Sequence, residues 1–200
     1  MMSDKYTSIA APSQGLFKDK GSRFIGYAFP ISGAGEVKPL LESLEKEHHA
    51  ARHHCYAYRL FSGEWRSSDD GEPSGSAGRQ ILVQIDSAGL QDVLVVVVRY
   101  FGGILLGVPG LIRAYRAAAA DALANAVPEE RTATRRIRLR FSYDQMPAVE
   151  RMLKNYNLSV VKRDFSEDCS MEIDIPLSLE EKVEEISNNL IIFKDNSNQY

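Results

Sequence analysis

The sequence predicts a mixed chain of two domains, α+β or α/β in class, and three observations carry that reading. Residues 93–98 read Val-Leu-Val-Val-Val-Val, a strand apolar on both faces. Stretches with apolar residues at helical spacing alternate with strand-like runs through the first two thirds of the chain. After the proline of Ala126-Val127-Pro128-Glu129-Glu130-Arg131-Thr132 the order becomes strand, helix, strand, strand, helix, strand. That is the ferredoxin-like βαββαβ pattern in about 60 residues. The expected division is a first domain over 1–127, a connector over 128–134, a ferredoxin-like domain over 135–195 and a tail over 196–200.

In the first domain, Gly15 to Pro30 alternates as strands around a turn at Lys20-Gly21-Ser22. Val37, Leu40, Leu41 and Leu44 then fall on one face of a helix predicted over Glu36 to Ala51. His54 to Phe61 is aromatic-rich and strand-like, and Ser62-Gly63 reads as a hairpin turn before Trp65. Ser67 to Gly78 is a polar, glycine-rich loop, followed by a helix over Ala77 to Ala88, a strand over Asp92 to Val98 and a helix over Pro109 to Val127. Proline at the first turn suits that last helix, because its missing N–H would lack a partner there anyway. In the second domain the expected elements are a strand Arg135 to Tyr143, a helix Gln145 to Asn155 and a strand Leu158 to Phe165. An acidic turn Ser166-Glu167-Asp168 leads to a strand Ser170 to Ile175, a helix Leu179 to Asn189 and a last strand Leu190 to Phe193.

Composition narrows the function classes. The 200 residues are 44% hydrophobic and 26% charged, which fits a globular chain rather than a disordered or fibrous one. Residues 1–127 hold 13 basic and 13 acidic side chains, and residues 128–200 hold 11 and 14, so the net charge is −3. No global field draws the whole molecule to nucleic acid or an anionic membrane, although a local basic patch remains open. The longest uncharged stretch, between Arg99 and Arg113, has 13 residues and is too short to span a bilayer. The first twenty residues show no signal-like apolar segment, so a cytoplasmic location is expected. Cys55 and Cys169 are far apart and lack metal-type spacing, so neither a metal nor a cofactor is expected.

Four segments could carry chemistry. The glycine-rich run Phe101 to Gly110 follows the buried strand and opens a helix, where free backbone N–H groups can hold an anion. It lacks the lysine of a P-loop, and its Gly102 and Gly103 serve equally well to tighten a turn. In Ser68 to Arg79, Asp69, Asp70 and Glu72 place three carboxylates in four positions, either for a cation or acid–base work, or as a solvated loop with Ser74 or Ser76 capping the next helix. His54, Tyr56 and Tyr58 share a strand face that could stack on bases or lie in the core, while Cys55 points the other way and forms no dyad with His54. His49 and His53 have metal-like spacing, but the predicted helix ends between them. Arg136, Arg138 and Arg140 make a strand stripe that Glu172 and Asp174 on a neighbouring strand would neutralise. Outside it, Arg23, Arg59, Arg79, Arg99, Arg113 and Arg116 remain as anion-binding candidates of the first domain.

Five motifs in order resemble the YigZ/IMPACT family: Lys20-Gly21-Ser22-Arg23-Phe24-Ile25, His54-Cys55-Tyr56-Ala57-Tyr58-Arg59, Asp69 to Gly78, Arg99-Tyr100-Phe101-Gly102-Gly103 and Gly110-Leu111-Ile112-Arg113-Ala114-Tyr115. The resemblance implies a first domain like the second domain of a small-subunit ribosomal protein and domain IV of elongation factor G, and a second like domain V of that factor. It also implies a role with nucleic acid or translation, without an established catalytic activity. Eukaryotic members regulate translation by competing for the activator of a starvation-response kinase, using an extra RWD domain that is not recognised here, so that competition is not expected. Many members have Gly-Gly-x-Lys-Leu-Gly-Thr-Gly-Gly-Leu where this chain has Leu105, Val108 and Pro109 in place of the lysine, threonine and a glycine. The leading expectation is a non-catalytic cytosolic protein that binds RNA or the translation machinery. The alternatives are a hydrolase using Asp69, Asp70, Glu72 and His54, or a protein-interaction module.

Overall fold

The structure is a computed structural model that describes residues 4–165, 169–189 and 193–195. The chain divides into two compact units, one over Tyr6–Arg131 and one formed by Thr132 onward together with Asp4 and Lys5. Both mix helices and sheets. Among the described residues no helix is long and apolar enough to cross a membrane.

The first unit runs β1 (Lys5–Ile9), β2 (Ser13–Asp19), β3 (Ser22–Pro30), α1 (Val37–Glu47), β4 (His53–Arg59), β5 (Trp65–Ser68), α2 (Gly78–Ser87), β6 (Val93–Tyr100), α3 (Gly107–Ala124) and β7 (Pro128–Thr132). Five strands form one sheet in the order β2-β3-β6-β4-β5, with every neighbouring pair antiparallel. The valine run occupies its centre, and all six residues from Val93 to Val98 are fully buried. Helices on both faces explain why: Val93, Val95 and Val97 pack with α2 and α3, whereas Leu94, Val96 and Val98 pack with α1. Each such side chain contributes roughly 1.5–3 kcal/mol of burial free energy.

Boundaries differ from the sequence expectation where side-chain pattern is a poor guide. Helix α1 stops at Glu47 rather than Ala51, and α3 starts two residues earlier and ends three earlier than expected. The segment 128–134, expected as a connector, holds β7 and the start of the next strand. Strand β7 pairs with β1, which the sequence reading missed. Both are short and largely polar, so no apolar alternation marks them.

The second unit runs β8 (Thr134–Phe141), α4 (Met146–Asn155), β9 (Ser159–Phe165), β10 (Cys169–Pro176), α5 (Glu180–Asn189) and β11 (Phe193–Asp195), with sheet order β11-β8-β10-β9. Ile137, Leu139 and Phe141 of β8 and Met171, Ile173 and Ile175 of β10 face its core. Their alternates face the other way and lie opposite one another, Arg138 against Glu172 and Arg136 against Asp174. Arg136 binds Asp174 through two bonds of 2.8 and 3.0 Å, and Arg138 donates to Glu172. Arg136 and Arg138 of the stripe are therefore matched by carboxylates, while Arg140 lies opposite Ser170. The expected turn Ser166-Glu167-Asp168, residues 190–192 of the last expected strand and the tail 196–200 lie outside the described residues.

Candidate functional site

The acidic loop is tied inward. One oxygen of Asp69 accepts the backbone N–H groups of Ala77 and Gly78 at 3.0 and 2.8 Å, and the other accepts that of Gly75 at 2.8 Å. Asp69 thus satisfies the free donors at the start of α2 and places negative charge at the positive end of its dipole. The cap expected from Ser74 or Ser76 is supplied by this aspartate; Ser76 donates instead to the carbonyl of Pro73. Asp70 accepts the backbone N–H of His54 at 2.6 Å.

Glu72 lies deeper. Arg99 donates to its Oε1 at 2.5 Å and the Tyr115 hydroxyl donates to the same oxygen at 2.8 Å. Cys55 bonds to the Tyr115 oxygen at 3.3 Å and to the Asp69 carbonyl at 3.0 Å. Burial pushes the Cys55 thiol well above its ordinary range, which keeps it protonated and unreactive. Burial, Cys55 and Glu72 raise Tyr115 likewise. Arg99 also sits between the rings of Phe24 and Phe101, 5.4 and 5.7 Å from their centroids. This set joins β4, β6, α3 and the acidic loop at one end of the sheet. Arg99, a candidate anion binder by sequence, is committed to an internal ion pair.

His53 donates through Nδ1 to the Asp70 carbonyl at 2.7 Å, since a carbonyl oxygen only accepts, which leaves Nε2 4.0 Å from Glu72. On the opposite face of β4 are His54, Tyr56 and Tyr58, of which Tyr56 and Tyr58 pack with the apolar stripe of α1. Tyr58 is buried and donates to Glu64 at 2.6 Å, which takes it out of the stacking surface considered for these three residues, while His54 and Tyr56 are half-buried. Burial also lowers the His54 pKa, and its Nε2 has no hydrogen-bond partner among the described residues. The metal-like pair is split too, with His49 beyond the end of α1 and His53 in β4. No group of three or more metal-ligating side chains gathers among the described residues.

The glycine-rich loop serves the neighbouring hairpin. A Cβ on Gly102 would sit 1.9 Å from the backbone of Gly21, and the Gly102 N–H donates to the Ser22 hydroxyl at 3.1 Å. Downstream, Pro109 removes one of the first free N–H donors of α3, which weakens that helix start as an anion cradle. Leu105 is 83% exposed and needs no polar replacement for packing.

Of the remaining candidates, Arg59 forms a two-bond ion pair with Asp86 at 2.5 and 2.9 Å, and Arg113 binds Asp19 at 2.8 Å. Arg116 is exposed and, among the described residues, bonds only the neutral Gln80 oxygen, at 2.8 Å. Arg79 is exposed at the start of α2, and Arg23 is exposed with its guanidinium carbon 4.6 Å from the Tyr100 ring centroid. Arg23 lines a surface hollow of about 470 Å³ with Lys18, Asp19, Lys20, Ser22 and Tyr100. Lys18, Lys20 and Tyr100 were not among the binding candidates read from the sequence. The available signal was Lys20 beside a glycine at the tip of a predicted hairpin, a position usually held by Asn, Asp or Gly.

Comparison with known proteins addresses the family. The family profile described as the Impact N-terminal domain matches residues 20–123, more than half of the chain. The chain belongs to the IMPACT family. It is similar to IMPACT family member YigZ of Escherichia coli (strain K12), 34% identical over 95% of this chain and 94% of that protein. The Xenopus laevis protein IMPACT is 38% identical over 44% of this chain and 30% of its own length. A crystal structure described as that of a hypothetical protein matches the whole of both chains with a TM-score of 0.75 and 30% identity. The IMPACT profile spans Lys20 and Arg23 at the hairpin tip, the acidic loop, Arg79 and most of α3 with Arg116.

Proposed function

We propose that the chain is a non-catalytic cytosolic protein that binds RNA of the translation machinery through its first unit. The observation that carries this is the set of exposed cations Lys18, Lys20, Arg23, Arg79 and Arg116, none with a carboxylate partner among the described residues. The opposite sign is spent internally, with Asp69 on backbone donors, Glu72 on Arg99, and Asp19 on Arg113. Phosphates are the ligand such cations suit, and binding through them releases counterions. Family membership supports the same reading, because the IMPACT resemblance implies work on nucleic acid or translation. The named folds belong to this proposal as well. The strand–helix order and the sheet order of the second unit support a ferredoxin-like domain, and the likeness of the first to domain IV of elongation factor G rests on the resemblance.

The test is binding of the full chain to a structured RNA at two salt concentrations. Affinity should fall steeply with salt, and Arg79→Ala and Arg116→Ala should each flatten the log–log slope by about 1. Absent or salt-insensitive binding would reject the proposal.

A further inference from the structure

The hollow at the tip of the β2–β3 hairpin joins a concentrated charge, a flat stacking surface and a fixed backbone. Three of its lining side chains, Lys18, Lys20 and Arg23, are exposed cations. Its one carboxylate, Asp19, is compensated by Arg113 at 2.8 Å. The Arg23 guanidinium lies over the Tyr100 ring, held there across the register of β3 and β6. An arginine plane backed by an aromatic ring is a surface on which an unpaired base stacks.

The tip itself is built to hold this arrangement. Asp19 pairs with Ser22 across a two-residue turn in which Lys20 and Gly21 both have left-handed backbones, φ 44° and 78°. Asn-Gly or Asp-Gly is the favoured pair for such a turn, so lysine at the first position carries a conformational cost. Packing gives nothing back, because the Lys20 side chain is exposed. The seating of Gly102 against Gly21 and Ser22 meanwhile pins the turn to the end of β6. Charge at that tip is what the lysine supplies.

We propose that this hollow is a nucleotide-sized subsite for an unpaired stretch of RNA. Lys18 and Lys20 hold the phosphodiester, and one base stacks on the Arg23–Tyr100 pair. A volume of about 470 Å³ is within the range of small-ligand sites. The proposal rests on the RNA-binding reading above and deepens it, by naming the strand form recognised and the residues that read it.

The experiment measures binding of the full chain to a labelled hexauridylate and to a 12-base-pair RNA duplex, at low and moderate salt. The single strand should bind more tightly than the duplex. Lys20→Gly suits the left-handed backbone and keeps the turn, so it removes charge without endangering the fold; it and Lys18→Ala should each reduce the salt slope by about 0.7. Arg23→Ala should weaken hexauridylate binding about tenfold, as expected for loss of a base-stacking platform. Amide resonances of Gly21 and Ser22 should shift on titration with hexauridylate and much less with inorganic phosphate. Hexauridylate binding unchanged in Lys20→Gly and Arg23→Ala but weakened in Arg79→Ala would overturn the subsite and leave the RNA reading standing. Preference for the duplex would do the same. Shifts as large with phosphate alone would reduce the hollow to a simple anion site, and failure of both RNAs to bind would end both proposals.

Discussion

Replacing Glu72 by alanine measures how far the buried ion pair organises the end of the first sheet. The Glu72 side chain is 4% exposed and the Arg99 side chain 8%, so the substitution leaves a guanidinium charge where water does not reach it. It also takes the acceptor from the Tyr115 hydroxyl. Breaking a buried pair by removing one partner costs about 3–5 kcal/mol. With a urea dependence of about 2 kcal/mol per molar, the unfolding midpoint should fall by about 2 M. Trp65 is the chain's single tryptophan and lies in β5, so its fluorescence follows the first unit and not the second. A Glu72→Ala/Arg99→Met double variant carries no stranded charge and should recover at least half of the loss. The reasoning is refuted if the single variant shifts the midpoint by less than about 0.5 M at unchanged slope, or if the double variant is no more stable than the single.

Other expectations can be checked with the same material. Asp69→Ala removes the acceptor for three backbone donors and should cost about 2 kcal/mol, at the upper end for a helix cap, with amide exchange faster at Ala77 and Gly78. Gly102→Ala drives a Cβ into the backbone of Gly21 and should lower the melting temperature of the first unit by about 5–10 °C; an unchanged transition would contradict the close packing. Burial holds His54 below its ordinary value of 6.5, so the unfolded chain takes up this proton first as pH falls. Its contribution to stability is complete above pH 6.5 and is lost as pH drops towards the folded pKa. The His54 ring resonances should titrate below 6.5, and titration above that value would contradict the assignment. Leu105→Lys, at an 83% exposed position, should leave stability within about 0.5 kcal/mol, read by urea unfolding.

Elements whose residues carry their own pattern were legible in the sequence: the valine run of β6, the stripe of α1, and the alternation of β8 and β10. Strands β1 and β7 were not, because Lys5–Ile9 and Pro128–Thr132 are recognisable only by pairing with each other. The acidic loop was ambiguous for a related reason. A carboxylate that binds backbone N–H groups looks the same in sequence as one that binds a cation or a proton. Arg99 and Glu72 are 27 positions apart, and only the fold brings them together. In the same way Arg113 and Arg116 share a helix, yet one meets Asp19 and the other Gln80. The hairpin turn falls where the sequence puts it, but Lys18 and Lys20 were not among the candidates, because only the fold sets them beside Arg23 and Tyr100.

Asp4 belongs to the second unit although residues 6–131 separate it from the rest of that unit. Its carbonyl accepts the N–H of Ala133 at 2.7 Å, and its carboxylate accepts the hydroxyl of Ser178 at 2.5 Å, 174 positions away. At about 5–20 residues per second, the ribosome delivers Ser178 roughly 10–35 s after Asp4. The first unit has its whole sequence well before then, while the leading residues wait for a partner that is not yet made. The second unit therefore completes itself after the first, using residues made before it. An alteration at Asp4 is felt across residues 6–131, in the unit whose other residues are synthesised after them.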